Sequence, residues 1–139
     1  SARSVARRVI DPSPQEFPRP NEALTGQPYR YAYTLALPEG GNPAFLDAPQ
    51  LYKHDLQAGT RQVHDFGAGQ VAGEFVFVPR AGAVAEDDGW LMGYVIDKDR
   101  DTTDLVILDA ARFEAPPQAR ITIPHRIPPG FHGNWIAAG

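Results

Sequence analysis

The chain has 139 residues, 42% of them hydrophobic and 22% charged, with a formal net charge of −4, ordinary values for one globular domain. The absence of cysteine excludes a disulfide framework, a thiolate metal site and a cysteine nucleophile. The acidic balance gives no electrostatic case for a nucleic-acid partner, and no apolar run approaches the roughly 18 residues of a transmembrane helix.

Fourteen prolines and 13 glycines favour many short strands and turns over helices. Residues 4–10 are predicted as a short strand, broken by Asp11-Pro12-Ser13-Pro14. The stretch from Gln15 to Asn21 then carries Glu16 between prolines, where a carboxylate is by default a solvated loop residue. Residues 29–37 alternate bulky and small side chains and read as a strand, closed by Pro38-Glu39-Gly40-Gly41-Asn42-Pro43. Residues 51–56 and 61–66 form a hairpin pattern with Gly59 at the tight position. His54 and His64 lie in these strands, each followed by an aspartate. Adjacent strand residues point to opposite faces, so neither His-Asp pair makes a metal site, and both histidines are expected at an edge or surface.

Residues 73–80 are rich in β-branched and aromatic side chains and close on Pro79, the clearest strand pattern of the chain. Glu74 precedes a run apolar on both faces, so it is expected to enter the interior, where a carboxylate must find a donor. Glu86-Asp87-Asp88 reads as a solvated turn. Residues 90–97 and 104–109 form another hairpin around a charged turn, and 119–123 a last strand. These are at least six strands in two clusters, 29–66 and 74–123. Small antiparallel sheets of about four strands suit the blades of a β-propeller.

The chain then runs Pro124-His125-Arg126-Ile127-Pro128-Pro129-Gly130-Phe131-His132-Gly133-Asn134-Trp135. Pro128 and Pro129 fix φ and remove two backbone donors, while Gly130 and Gly133 permit close backbone approach. A stiff frame of this kind presents one imidazole nitrogen in a set direction, as a metal ligand requires. A lone histidine beside an aromatic is more often a packed residue, so the frame alone leaves both readings open. His125 and Arg126 are expected to tie the loop down by polar contacts. No phosphate loop, Gly-x-Ser-x-Gly elbow or His-Glu-x-x-His pair is present.

Three blocks, in order, resemble the carotenoid cleavage oxygenases, the family of carotenoid, apocarotenoid and lignostilbene dioxygenases. They are Glu16-Phe17-Pro18-Arg19 with Gly26 and Arg30-Tyr31-Ala32-Tyr33; Gly73-Glu74-Phe75-Val76-Phe77-Val78 followed by Glu86-Asp87-Asp88-Gly89; and the segment ending Phe131-His132-Gly133-Asn134-Trp135. The departures are Phe75 where proline is usual, Pro129 for phenylalanine and Asn134 for threonine. The resemblance implies an all-β fold, the last blades and closing segment of a seven-bladed β-propeller. Residues 1–139 would then be a C-terminal fragment of a single propeller domain, as a chain beginning Ser-Ala-Arg without methionine also suggests.

The cofactor implied is non-haem Fe(II), with His132 as the last of four histidine ligands. Glu74 would accept a hydrogen bond from His132, and Glu16 from a histidine upstream of this chain. The implied partners are the upstream part of the propeller with three further histidines, O2, and a hydrophobic conjugated alkene; no nucleic acid is implied. The implied reaction is oxidative cleavage of a C=C bond to two carbonyl products, in a cytoplasmic protein with peripheral membrane contact left open. The rivals are a non-catalytic propeller module without metal and a small β-domain of unrelated function. A scaffold that had lost its metal would have no reason to keep Glu16, Glu74 and His132 together.

Overall fold

A computed structural model describes residues 4–40 and 44–137. Eight strands are found among these residues, in two four-stranded antiparallel sheets that each follow chain order. The first sheet contains β1 (Gln15–Arg19), β2 (Tyr31–Ala36), β3 (Gln50–Asp55) and β4 (Thr60–Asp65). The second contains β5 (Gln70–Pro79), β6 (Gly89–Asp97), β7 (Thr102–Asp109) and β8 (Ala119–Ile123). Two short 3-10 turns, Glu22–Leu24 and Ala44–Asp47, are the helical elements of the described residues. Two successive up-and-down sheets are the pattern of propeller blades. No helix among the described residues is long and apolar enough to cross a membrane.

Local sequence explains most of the strands. The β3–β4 hairpin turns through Gly59, whose φ of +67° suits glycine and strains any residue with a Cβ. Alternation in β5 and β7 puts Phe75, Phe77, Val106 and Leu108 into one core with Tyr33, Leu35 and Leu51 of the first sheet. Tyr33 stacks on Phe77, with ring centroids 5.9 Å apart and planes 8° apart, so the core joins the two sheets. The β5–β6 connection is stitched to the first sheet as well. Glu86 accepts from the Arg30 and Tyr31 amides at 2.8 and 2.7 Å, and Lys53 Nζ donates to Asp87 at 2.6 Å.

Three expectations need correction. Residues 4–10 form no strand and are exposed, and no strand among the described residues pairs with them. Gln15–Arg19, by contrast, is strand β1 despite Pro14 and Pro18: it lies at the sheet edge, where a proline without N–H is tolerated. Glu86-Asp87-Asp88 is half-buried and fully engaged rather than solvated, since each of its carboxylates answers a donor.

Candidate metal centre

Two β-bulges build the site. In β1, Glu16 pairs with Leu35 and Arg19 with Tyr33, so Phe17 and Pro18 together oppose Thr34. Phe17 absorbs the extra residue at φ +53°, left-handed backbone that costs a non-glycine residue about 1–2 kcal/mol. In β5, Ala72 pairs with Val95 and Phe75 with Gly93, so Gly73 and Glu74 together oppose Tyr94. Gly93 makes that bulge possible, because a Cβ there would lie 2.5 Å from the Phe75 ring and 2.7 Å from the Glu74 carbonyl oxygen. Bulges re-aim side chains, and here they bring Phe17, Arg19 and Glu74 to the segment that carries His132.

The Glu74 carboxylate is the centre of the arrangement, with its side chain 5% exposed. Oε1 accepts from Arg19 Nε at 2.9 Å and from His132 Nδ1 at 3.1 Å. Oε2 accepts from Arg19 Nη2 at 3.0 Å and from the Gly133 amide at 2.8 Å. Four donors fill the lone-pair sites of one carboxylate. Burial pushes the acid upward, but the Arg19 fork, the Gly133 amide and His132 outweigh it and hold Glu74 below the usual glutamate range. An ionised carboxylate only accepts, so Nδ1 of His132 carries a proton and donates it, which leaves Nε2 as the ring nitrogen turned towards a metal.

Nε2 has no hydrogen-bond partner among the described residues, and the His132 side chain is 73% exposed. Phe17 braces the ring edge to face, with centroids 5.5 Å apart and planes at 81°. The Ile127 amide donates to Thr103 Oγ1 at 2.9 Å, which pins the start of the terminal segment to β7. Between this segment and the outer face of the second sheet lies a cleft of about 430 Å³, lined by Met92, Tyr94, Leu105, Phe131 and Trp135 together with Glu74 and His132.

Residues 1–137 match the family described as retinal pigment epithelial membrane protein, RPE65. The chain belongs to this family of carotenoid cleavage oxygenases. It is 46% identical to a carotenoid cleavage oxygenase of Mycobacterium tuberculosis over 135 residues, which is 95% of this chain and 26% of that protein. It is 39% identical to the apocarotenoid-15,15′-oxygenase of Synechocystis, with 97% of this chain and 27% of the relative covered. The chain thus spans about a quarter of the length of the relatives it matches. The structure of cobalt-substituted Synechocystis apocarotenoid oxygenase aligns with a TM-score of 0.85 at 37% identity, over 94% of this chain and 27% of that one. The two sheets match the C-terminal part of such propeller structures.

Within this oxygenase frame, the predicted pair Glu74 and His132 is brought together, although 58 positions separate them. Glu16 is exposed on β1 and bonds to neither of them. No group of three or more histidines, cysteines or acids among the described residues could hold a metal. The donor set here fits one imidazole ligand with its supporting carboxylate, and no more.

His54 and His64 are not surface residues: they are 5% and 6% exposed. His54 Nε2 donates to Gln15 Oε1 at 2.6 Å and His64 Nδ1 to the Phe113 carbonyl at 2.8 Å. In β3 both faces are covered, Lys53 and His54 being buried in succession, so strand alternation there does not send alternate residues to water. His125 and Arg126 are exposed and make no side-chain hydrogen bond or ion pair among the described residues. The tie they were expected to make is made by Ile127, Gly133 and Arg19. Arg19 and Phe17 were missed as site residues. The signal for Arg19 was available: a carboxylate entering the core needs a donor, and Arg19 belongs to the same motif block as Glu16.

Proposed function

We propose that this chain is the C-terminal portion of a non-haem Fe(II) dioxygenase that cleaves a C=C bond of a carotenoid, apocarotenoid or stilbenoid to two carbonyl products. The observation that carries this reading is His132, with Nδ1 committed to an ionised Glu74 and Nε2 left free. Imidazole suits Fe(II), and an outer carboxylate that takes the Nδ1 proton fixes the tautomer and raises the basicity of Nε2. His132 would hold the iron, with Glu74 supporting it. Glu16 would accept from a histidine supplied by polypeptide outside this sequence, which would contribute three histidine ligands in all. Residues 1–139 would be the last blades and closing segment of that one propeller domain.

Iron bound at such a site would supply the activation of dioxygen. The stoichiometry is complete with one alkene and one O2, since two carbons each take one oxygen atom and no external reductant is needed. The residues of this chain contribute placement: the apolar cleft under Phe131 and Trp135 lies beside the imidazole and offers an apolar surface to a hydrophobic substrate. A substrate this apolar partitions into lipid, so peripheral contact of a cytoplasmic enzyme with a membrane surface belongs to the same reading.

The test is the full-length protein containing these residues, purified as parent and as His132→Ala. The parent is expected to hold about one iron per chain and to convert a conjugated alkene into two carbonyl products with O2 uptake. The variant is expected to lose iron and turnover while remaining folded. Iron content unchanged by His132→Ala would overturn the assignment.

A further inference from the structure

Arg19 stands where three parts of the site meet. Its Nε and Nη2 donate to the two oxygens of Glu74 at 2.9 and 3.0 Å, a fork-on-carboxylate pair. Nη2 also donates to the carbonyl of Gly133, the residue after His132, and the Gly133 amide donates back to Glu74 at 2.8 Å. Guanidinium, carboxylate and the Gly133 peptide therefore close a ring of hydrogen bonds around the base of the imidazole. Its remaining partner among the described residues is Glu22, at the surface.

A carboxylate held by one imidazole alone is free to rotate about its own axis, and the imidazole follows it. The Arg19 fork holds both carboxylate oxygens and so fixes the carboxylate plane. Its bond to Gly133 fixes the backbone from which His132 projects. Phe17, two residues before Arg19 on the same bulged strand, stands edge-on against the ring.

We propose that Arg19 is a positioning residue for His132: by clamping both oxygens of Glu74 and the carbonyl of Gly133 it fixes the direction in which Nε2 is presented to a metal. This rests on the reading of His132 as a metal ligand. Arg19 itself touches neither metal nor substrate. Lysine at this position keeps the charge but has no planar fork, so it cannot replace the clamp.

The full-length protein loaded with Co(II) tests this, because a ligating histidine then shows its Nδ1 proton as a paramagnetically shifted, exchangeable NMR resonance. His132→Ala identifies the resonance of His132, and Glu22→Gln serves as a control at the exposed partner of Arg19. In Arg19→Lys and Arg19→Gln that resonance is expected to move and to exchange faster with water, and the Co(II) dissociation constant to rise about 10–100-fold. Glu22→Gln is expected to change neither. Should the glutamine variant fail to fold, the lysine variant carries the comparison. Arg19 variants that keep the resonance, its exchange rate and the affinity of the parent overturn the proposal, even if their melting temperature falls. If His132→Ala removes no resonance and binds cobalt as the parent does, the reading of His132 as a ligand falls instead.

Discussion

Nδ1 of His132 lies 3.1 Å from Oε1 of Glu74, joining the bulge of β5 to a segment 58 residues further along the chain. The bond fixes the tautomer of an exposed imidazole by means of a buried, ionised acid. Glu74→Gln keeps the shape but removes the charge, and it leaves one acceptor where four donors converge. In the full-length protein this variant is expected to bind metal about 10–100-fold more weakly, read by competition titration with a chelator. Unchanged affinity would remove Glu74 from the site.

Glu16 sits on the same strand as Arg19, yet its carboxylate has no hydrogen bond among the described residues. As acceptor for a histidine beyond this sequence, it should behave like Glu74 towards metal. Glu16→Gln in the full-length protein is expected to lower metal affinity about tenfold or more. A variant with parental metal affinity would leave Glu16 a surface residue.

Phe17 provides a test of the bulge itself. Its ring packs on His132 and Phe131, and its backbone is left-handed. Both Phe17→Ala and Phe17→Gly lose the ring, but only glycine relieves the backbone. The glycine variant is therefore expected to be the more stable of the two by about 1 kcal/mol, measured by chemical unfolding of the full-length protein. Alanine equal to or better than glycine would show that Phe17 does not hold the left-handed conformation.

The hairpins β3–β4 and β6–β7 were legible because alternation and turn residues are local signals. Strand β1 was not, since Pro14 and Pro18 read as breakers and only tertiary placement at a sheet edge makes them tolerable. His54 was misplaced for a related reason: Lys53 and His54 are 4% and 5% exposed, so consecutive residues on opposite faces are both covered. No periodicity reports that a second layer covers the far face. The pairing of Glu74 with His132 came from motif resemblance, because a contact across 58 residues leaves no trace in local pattern. Arg19 escaped because a salt bridge from β1 to β5 is equally non-local.

Those two buried histidines make stability depend on pH. Burial lowers the pKa of each below the ordinary value of 6.5, and its other influences do not reverse this. The unfolded chain therefore binds more protons than the folded one in the window beneath about 6.5. The neutral forms contribute fully above that value, and the contribution is lost as pH falls through the depressed folded values. The apparent Tm of the full-length protein is expected to drop between about pH 7.5 and about pH 5.5, above the titration of ordinary carboxylates. A His54→Gln, His64→Gln double variant is expected to drop less. An equal drop in both proteins would assign the acid sensitivity elsewhere.

Residues 1–139 by themselves are expected neither to retain iron nor to cleave an alkene. His132 is one ligand, and no cluster among the described residues supplies the rest. The surface of the chain gives a physical reason to expect association as well. It amounts to 8741 Å², against roughly 7,100 Å² for a folded monomer of its 15.2 kDa mass. The excess of roughly 1,600 Å² is about twice the roughly 800 Å² that one partner buries in a standard protein interface. Tyr94, Ile121, Phe131 and Trp135, each about half exposed or more, are apolar surface for such contact. Expressed alone, the chain is expected to self-associate or to melt without cooperativity, to contain no stoichiometric iron and to consume no O2 with an alkene. Light scattering, metal analysis and thermal melting check this together. A monomer that melts cooperatively would show an independently folding domain, and the assignment of the two sheets as blades of a larger propeller would have to be withdrawn.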